Sequence, residues 1–233
     1  MARIIVDSMS YEEVFELFRE DLTQLNHKIE AATKKMRKKY RNARNSERHY
    51  FTPIKYQSQR GFNYVLQFFD NGIYVPREAR LGFYYYTWYI QRKGVYAMML
   101  SQLNRQVWHF TIYTPHFFDR YKERFLKDKT ISTPDAIYTF FTRNPKSSTQ
   151  GVPSEKYPNG YWAICNDGIC LCNHLNGFTI EAKTFIDWSL LYKGQQDLAI
   201  KAKEFMLEKG FELNVPVEDF DDYMPEPENS ENW

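Results

Sequence analysis

His116, Arg120 and Arg124 recur at i, i+4 and i+8 within T-P-H-F-F-D-R-Y-K-E-R-F, so a helix would carry all three on one side. A histidine beside two guanidinium groups can move a proton and clamp a phosphate. Phe117, Tyr121 and Phe125 repeat at the same interval on the neighbouring side, which should be buried. The plainer assignment is a solvated helix face on which Asp119 and Glu123 pair with the arginines. Glu181-Ala182-Lys183 offers a second set, a carboxylate and an amine two apart on a strand, with His174 on the strand before it. Cys165, Cys170, Cys172 and His174 are four soft ligands, but C-x4-C-x-C-x-H runs down a flat strand face and cannot converge tetrahedrally without bending. Small cysteines packed beneath a helix are therefore expected, with no metal. There is no Gly-rich phosphate loop, H-E-x-x-H or G-x-S-x-G, and no cofactor is expected.

Charge supplies the other candidate. The 233 residues carry a formal net charge of only +2, but it is unevenly placed. Residues 218–233 contain seven acidic groups and no basic one; removing them from the 29 leaves 22 acidic residues against 31 basic. Between 34 and 48, Lys34, Lys35, Arg37, Lys38, Lys39, Arg41, Arg44 and Arg48 face Glu47 alone. Such a run attracts a polyanion by counterion release, so RNA or another polyanion is the expected partner. The tail, with Pro225 and Pro227, reads as disordered.

The elements that must position these groups are an α+β set. Ser10-Tyr11-Glu12-Glu13 is a capping box, and Val14, Phe15, Phe18, Leu22, Leu25 and Ile29 follow at helical spacing. The long N-terminal helix should run to about Arg44, its amphipathic first half packing and its polar second half projecting. Residues 51–113 read mostly as an antiparallel meander, because their links are too short for crossovers. Within it, 83–89 is strongly aromatic, in a chain that is 18% aromatic. Thr114-Pro115 and Thr133-Pro134-Asp135 open a helical pair, and 146–159 reads as a loop.

Asp167-Gly168 and Asn176-Gly177 are preferred two-residue turns, giving a three-stranded hairpin sheet, and C-terminal helices follow over 187–209. Those turns set an expected register of Cys165 opposite Cys170, His174 opposite Thr179 and Cys172 opposite Glu181. The face carrying Trp162, Ile164, Ile169, Leu171, Ile180 and Ala182 is then the core side.

A helix bearing H-x3-R-x3-R, a second short helix, and hairpins ending in Thr184-Phe185 resemble the barnase and RelE-like toxin endoribonuclease superfamily and its uncharacterised bacterial members. The resemblance covers about residues 114–188, a third of the chain. It implies metal-free RNA cleavage, in which the ribose 2′-hydroxyl attacks the adjacent phosphorus, with His116, Arg120, Arg124 and Thr184 at the centre. The expected register sets Thr184 apart from Glu181 and Lys183 unless a bulge intervenes. A lesser alternative rests on Glu181-Ala182-Lys183, which resembles the metal-dependent PD-(D/E)xK nucleases, with Asp135 as the distant aspartate.

The competing class is a non-catalytic interaction module that uses the aromatic strand and the acidic tail to bind a protein, either antitoxin-like or a second copy. The strand's exposed face would then hold a partner or stack bases. The organisation read from sequence is 1–113 as helix plus aromatic meander, 114–217 as an RNase-like α+β region, and 218–233 as tail, with one compact domain plus tail as the alternative. No apolar run suits a membrane span or a signal peptide, and three clustered cysteines make no disulfide framework. A reducing, cytoplasmic setting without membrane contact is expected.

Overall fold

The computed structural model describes residues 3–42, 52–70, 81–103, 107–145, 148–151, 158–176 and 179–191, with helical positions at 196, 197, 200 and 204. The α+β class holds. The acidic tail, and most of the region expected to form C-terminal helices, lie outside the described residues.

Helix α1 (Tyr11–Asn42) starts where the capping box places it: Ser10 N donates to Glu13 Oε2 at 2.8 Å, and Glu13 N donates to Ser10 Oγ at 3.3 Å. Its apolar stripe of Val14, Leu17, Phe18 and Leu25 is buried, each side chain contributing ~1.5–3 kcal/mol. The stripe does not stop where the sequence turns polar. Ala32 and Met36 pack on Leu66 and Phe68, so the basic half of α1 lies on the sheet rather than projecting from it.

The meander forms β1 (Ile54–Gln57), β2 (Asn63–Asp70), β3 (Leu81–Gln91), β4 (Gly94–Leu103) and β5 (Val107–Tyr113). A second antiparallel series forms β6 (Ser148–Gly151), β7 (Gly160–Cys165), β8 (Gly168–His174) and β9 (Thr179–Asp187). The β6 strand falls inside the segment read as a loop; S-T-Q-G has no apolar alternation, so only its pairing with β7 reveals it. The two series join into one nine-stranded sheet, ordered β1-β2-β3-β4-β5-β9-β8-β7-β6, through a parallel β5–β9 pair. The sheet therefore runs continuously across residue 113, where the sequence reading divides the chain.

Helices cover both faces. On one lies α1. On the other, α2 (Pro115–Tyr121) and α3 (Thr133–Arg143) bury Phe117, Phe118, Tyr121, Ile137, Phe140 and Phe141 against β3, β4 and β7–β9. Thr114 caps α2 and Ser132 caps α3, each hydroxyl accepting a backbone N–H. The helix does not continue in α form to Leu126. Lys122–Leu126 is a π-helical turn, closed by Lys127 in the left-handed conformation at φ 53°. Among the described residues, no helix is long and apolar enough to cross a membrane.

The hairpin register differs from expectation in two places. Cys165 pairs with Gly168 and Ala163 with Cys170, so Asn166 and Asp167 form the turn. Gly168 is required for close approach: a Cβ there would lie 2.2 Å from the Ile186 carbonyl oxygen. At the second hairpin His174 pairs with Ile180, one residue beyond the expected Thr179. A one-residue slip exchanges faces. Ile180 and Ala182 thus join the three cysteines under α2 and α3, and that face holds the main core. The predicted core side carries a smaller cluster of Ile164, Ile169 and Leu191, flanked by Trp162, Leu171, Ile186 and Trp188.

Candidate nucleic-acid interface

Lys34, Lys35, Arg37, Lys38 and Lys39 are all exposed on α1. At about 100° per residue they span roughly 200° of the helix circumference, opposite Met36. None of the five makes an ion pair among the described residues, whereas Arg19, Arg60, Arg120, Lys122, Lys129, Arg143 and Lys183 all do. Arg41 lies on α1, but its side chain falls outside the described residues, as do Arg44 and Arg48. The flank of α1 towards the edge strand β1 adds Lys28, whose ammonium sits 5.2 Å over the Tyr56 ring.

His116 is exposed in the first turn of α2. One turn on, Arg120 pairs with Glu123 at 2.6 Å, and Lys129 pairs with the same carboxylate at 2.7 Å. Lys129 and Arg120 together hold the Glu123 carboxyl down to about 2. The π turn then breaks the i, i+4, i+8 alignment, and Arg124 is directed onto β9. Its guanidinium donates to the Phe185 carbonyl at 2.6 Å, and burial followed by the neighbouring Arg120 charge lowers its pKa.

Thr184 is not brought to this group. A bulge places Lys183 between the Leu171–Thr184 and Cys172–Ala182 register pairs. Phe185 therefore packs under α2, while Thr184 lies on the Leu171 face with Glu181. The bulge arises on β9, and its effect is to unite Thr184 with Glu181 rather than with the arginines.

The second set divides in a similar way. Glu181 accepts from Tyr11 Oη at 2.9 Å and pairs with Lys183 at 3.5 Å on the α1 side of the sheet. Burial, then the Glu181 charge, raises the Tyr11 phenol. The His174 ring lies tilted against Tyr161, centroids 4.8 Å apart, on the opposite side. Asp135 stands at the start of α3 and is exposed. The cysteines fill the core; burial pushes Cys172 up to about 12 and Cys170 well above the ordinary thiol range.

The aromatic strand is largely covered on both faces, with Phe83 exposed near its start. Tyr85 and Tyr89 meet α1, Tyr86 stacks on Phe141 at 4.3 Å, and Tyr84 Oη donates to the Phe141 carbonyl. Between β1–β3 and α3 lies a cleft of about 210 Å³, lined by Lys55, Gln57, Tyr86, Trp88, Asp135 and Tyr138 among others. Sequence reasoning missed Lys55 and Tyr138, which lie far apart in the chain and carry no local signal. It also missed Asp167. This residue is buried in a turn and accepts from Tyr121 Oη at 2.7 Å, Arg143 Nη2 at 2.9 Å and Asn144 Nδ2 at 2.9 Å. That network locks α2 and α3 to the β7–β8 turn.

No protein-family model, curated protein or solved structure matches the chain.

Proposed function

We propose that this protein binds nucleic acid through the solvent face of α1. The observation that carries the reading is the set of five exposed cations between Lys34 and Lys39, none with an ion-pair partner among the described residues, on a helix anchored to the sheet by Ala32 and Met36. Surface cations that serve only solubility are interspersed with carboxylates, as Arg19, Arg120 and Lys122 are here. A ridge on a helix packed against the sheet presents its charge to a phosphate backbone at little ordering cost. Three buried, unbridged cysteines support a reducing, cytoplasmic setting.

The narrower part of the proposal is metal-free RNA cleavage at α2. The exposed imidazole of His116 takes the proton from the 2′-hydroxyl as that oxygen bonds to phosphorus. The P–O5′ bond breaks, and the 5′-oxygen takes its proton from solvent. Arg120 is the clamp for the phosphate oxygens, which compete with Glu123 for it. Arg124 is a positioning residue in this scheme, since it is engaged on β9.

Fluorescence anisotropy of a labelled RNA oligonucleotide tests the binding reading. Affinity should fall with salt at a log–log slope of about −3.5 if all five cations engage a single strand. Lys35→Glu combined with Lys38→Glu should flatten that slope and weaken binding by at least tenfold with the melting temperature unchanged. Salt-independent binding, or none at low salt, would refute it.

A further inference from the structure

The cleft between β1–β3 and α3 lies directly behind the basic ridge. Ile54, Leu66 and Tyr85 align across β1, β2 and β3 and pack with Met36 of α1. The adjacent row of Lys55, Val65 and Tyr86 points to the other face and lines the cleft. Ridge and cleft thus lie on opposite sides of the layer formed by α1 and the sheet, and the short edge strand β1 borders both. Two cations connect them: Lys28 of α1 over Tyr56, and Lys55 of β1 over Tyr138 at 5.3 Å.

The chemistry of the cleft suits a ring and not a phosphate. Trp88 and Tyr138 are half-buried and offer aromatic surface, and Tyr86 forms part of the lining. Lys55 and Gln57 supply donors. The Asp135 carboxylate repels phosphate oxygens but accepts from an exocyclic amine. At about 210 Å³ the space falls below the ~300–1,000 Å³ of sites for drug-sized ligands, so its occupant is a single ring system.

We infer that this cleft receives one unstacked nucleobase of a single strand whose backbone passes around β1 from the α1 ridge. The protein therefore takes single-stranded nucleic acid in preference to duplex. The inference rests on the nucleic-acid reading above and deepens it.

The test uses the full chain and three probes of equal length: a labelled single-stranded oligonucleotide, its duplex, and a single strand of abasic sugar-phosphate. Base–aromatic stacking makes the natural single strand roughly tenfold tighter than the abasic one, and tighter than the duplex. Tyr138→Ala and Lys55→Ala alter surface side chains, with folding checked by thermal melts. Each should bring the natural strand down to the abasic affinity and leave abasic binding unchanged. Equal affinity of wild-type protein for natural and abasic strands, no effect of Tyr138→Ala, or equal weakening of both strands would overturn the inference while leaving the ridge intact. Failure of all three probes to bind would instead remove the nucleic-acid reading itself.

Discussion

Arg124 and Phe185 are joined by a 2.6 Å hydrogen bond from guanidinium to backbone carbonyl, which closes the flank of β9 where β5 has ended. Thr114 serves the same flank, its N–H donating to the Ala182 carbonyl and its hydroxyl to the Lys183 carbonyl. The start of α2 and the π turn thus act together as the missing neighbour strand.

Arg124→Ala should consequently lower stability by about 1.5–3 kcal/mol, the range for a hydrogen bond to a charged group. Urea unfolding would register this as a shifted midpoint with an unchanged slope. Arg124→Lys should recover part of the loss. An unshifted midpoint for the alanine variant would show that water replaces the guanidinium at no cost.

Asp167 and Arg143 should respond unequally. Asp167→Ala strands the Tyr121 hydroxyl and the Asn144 amide in the core, at a cost of about 2–4 kcal/mol. The Arg143 side chain is 52% exposed, and Arg143→Ala leaves the carboxylate its Tyr121 and Asn144 donors. Its loss should be about 1 kcal/mol or less. Calorimetric melts of the two variants settle the order, and equal losses would contradict it.

Glu123 gives a pH signature. Its carboxyl is held at about 2 in the fold against an ordinary 4.5, so the folded state binds its proton more weakly than the unfolded state. The resulting stabilisation is complete above pH 4.5 and disappears as pH falls towards 2. The melting temperatures of wild-type protein and Glu123→Gln should therefore differ above pH 4.5 and converge towards pH 2. Added salt should narrow the gap, because the triad is at the surface. A gap that widens on acidification would reverse the sign.

His116→Ala should reduce RNA cleavage by about two to four orders of magnitude, as expected for a lost acid–base group, with binding and melting temperature retained. EDTA should leave wild-type cleavage unaffected. Inhibition by EDTA would move attention to Glu181 and Lys183. Absence of cleavage by the wild-type protein would leave a binding protein without catalysis.

The parts of the fold legible in the sequence are those determined locally. Ser10 with Glu13, and Thr114 with Pro115, mark helix starts through contacts spanning three residues or fewer. The alternation around Cys170 and Cys172 marks a strand in the same way. The rest depends on partners distant in sequence. Whether Thr184 meets Arg124 is decided by the bulge at Lys183, which follows Ala182, the last β9 residue in register with β5. The slip beside Asn176 exchanged the faces of Ile180 and Glu181 without any change in residue pattern. The basic ridge was readable as composition, but its rigidity depends on Met36 meeting Leu66 and Phe68. Lys55 and Tyr138 meet only because α3 crosses the sheet near its edge.

The parallel β5–β9 pair also has a kinetic meaning. Nearly every other strand contact joins neighbours in sequence, so each meander can assemble through fast, short-range hairpin closures. The β5–β9 pair closes only after α2, α3 and three strands have been threaded between its partners, and the loop entropy of that step precedes its reward. The two halves should therefore fold as local ladders first and meet last, at the seam that Thr114 and Arg124 close. That seam is where the assembled sheet should first part when the protein unfolds.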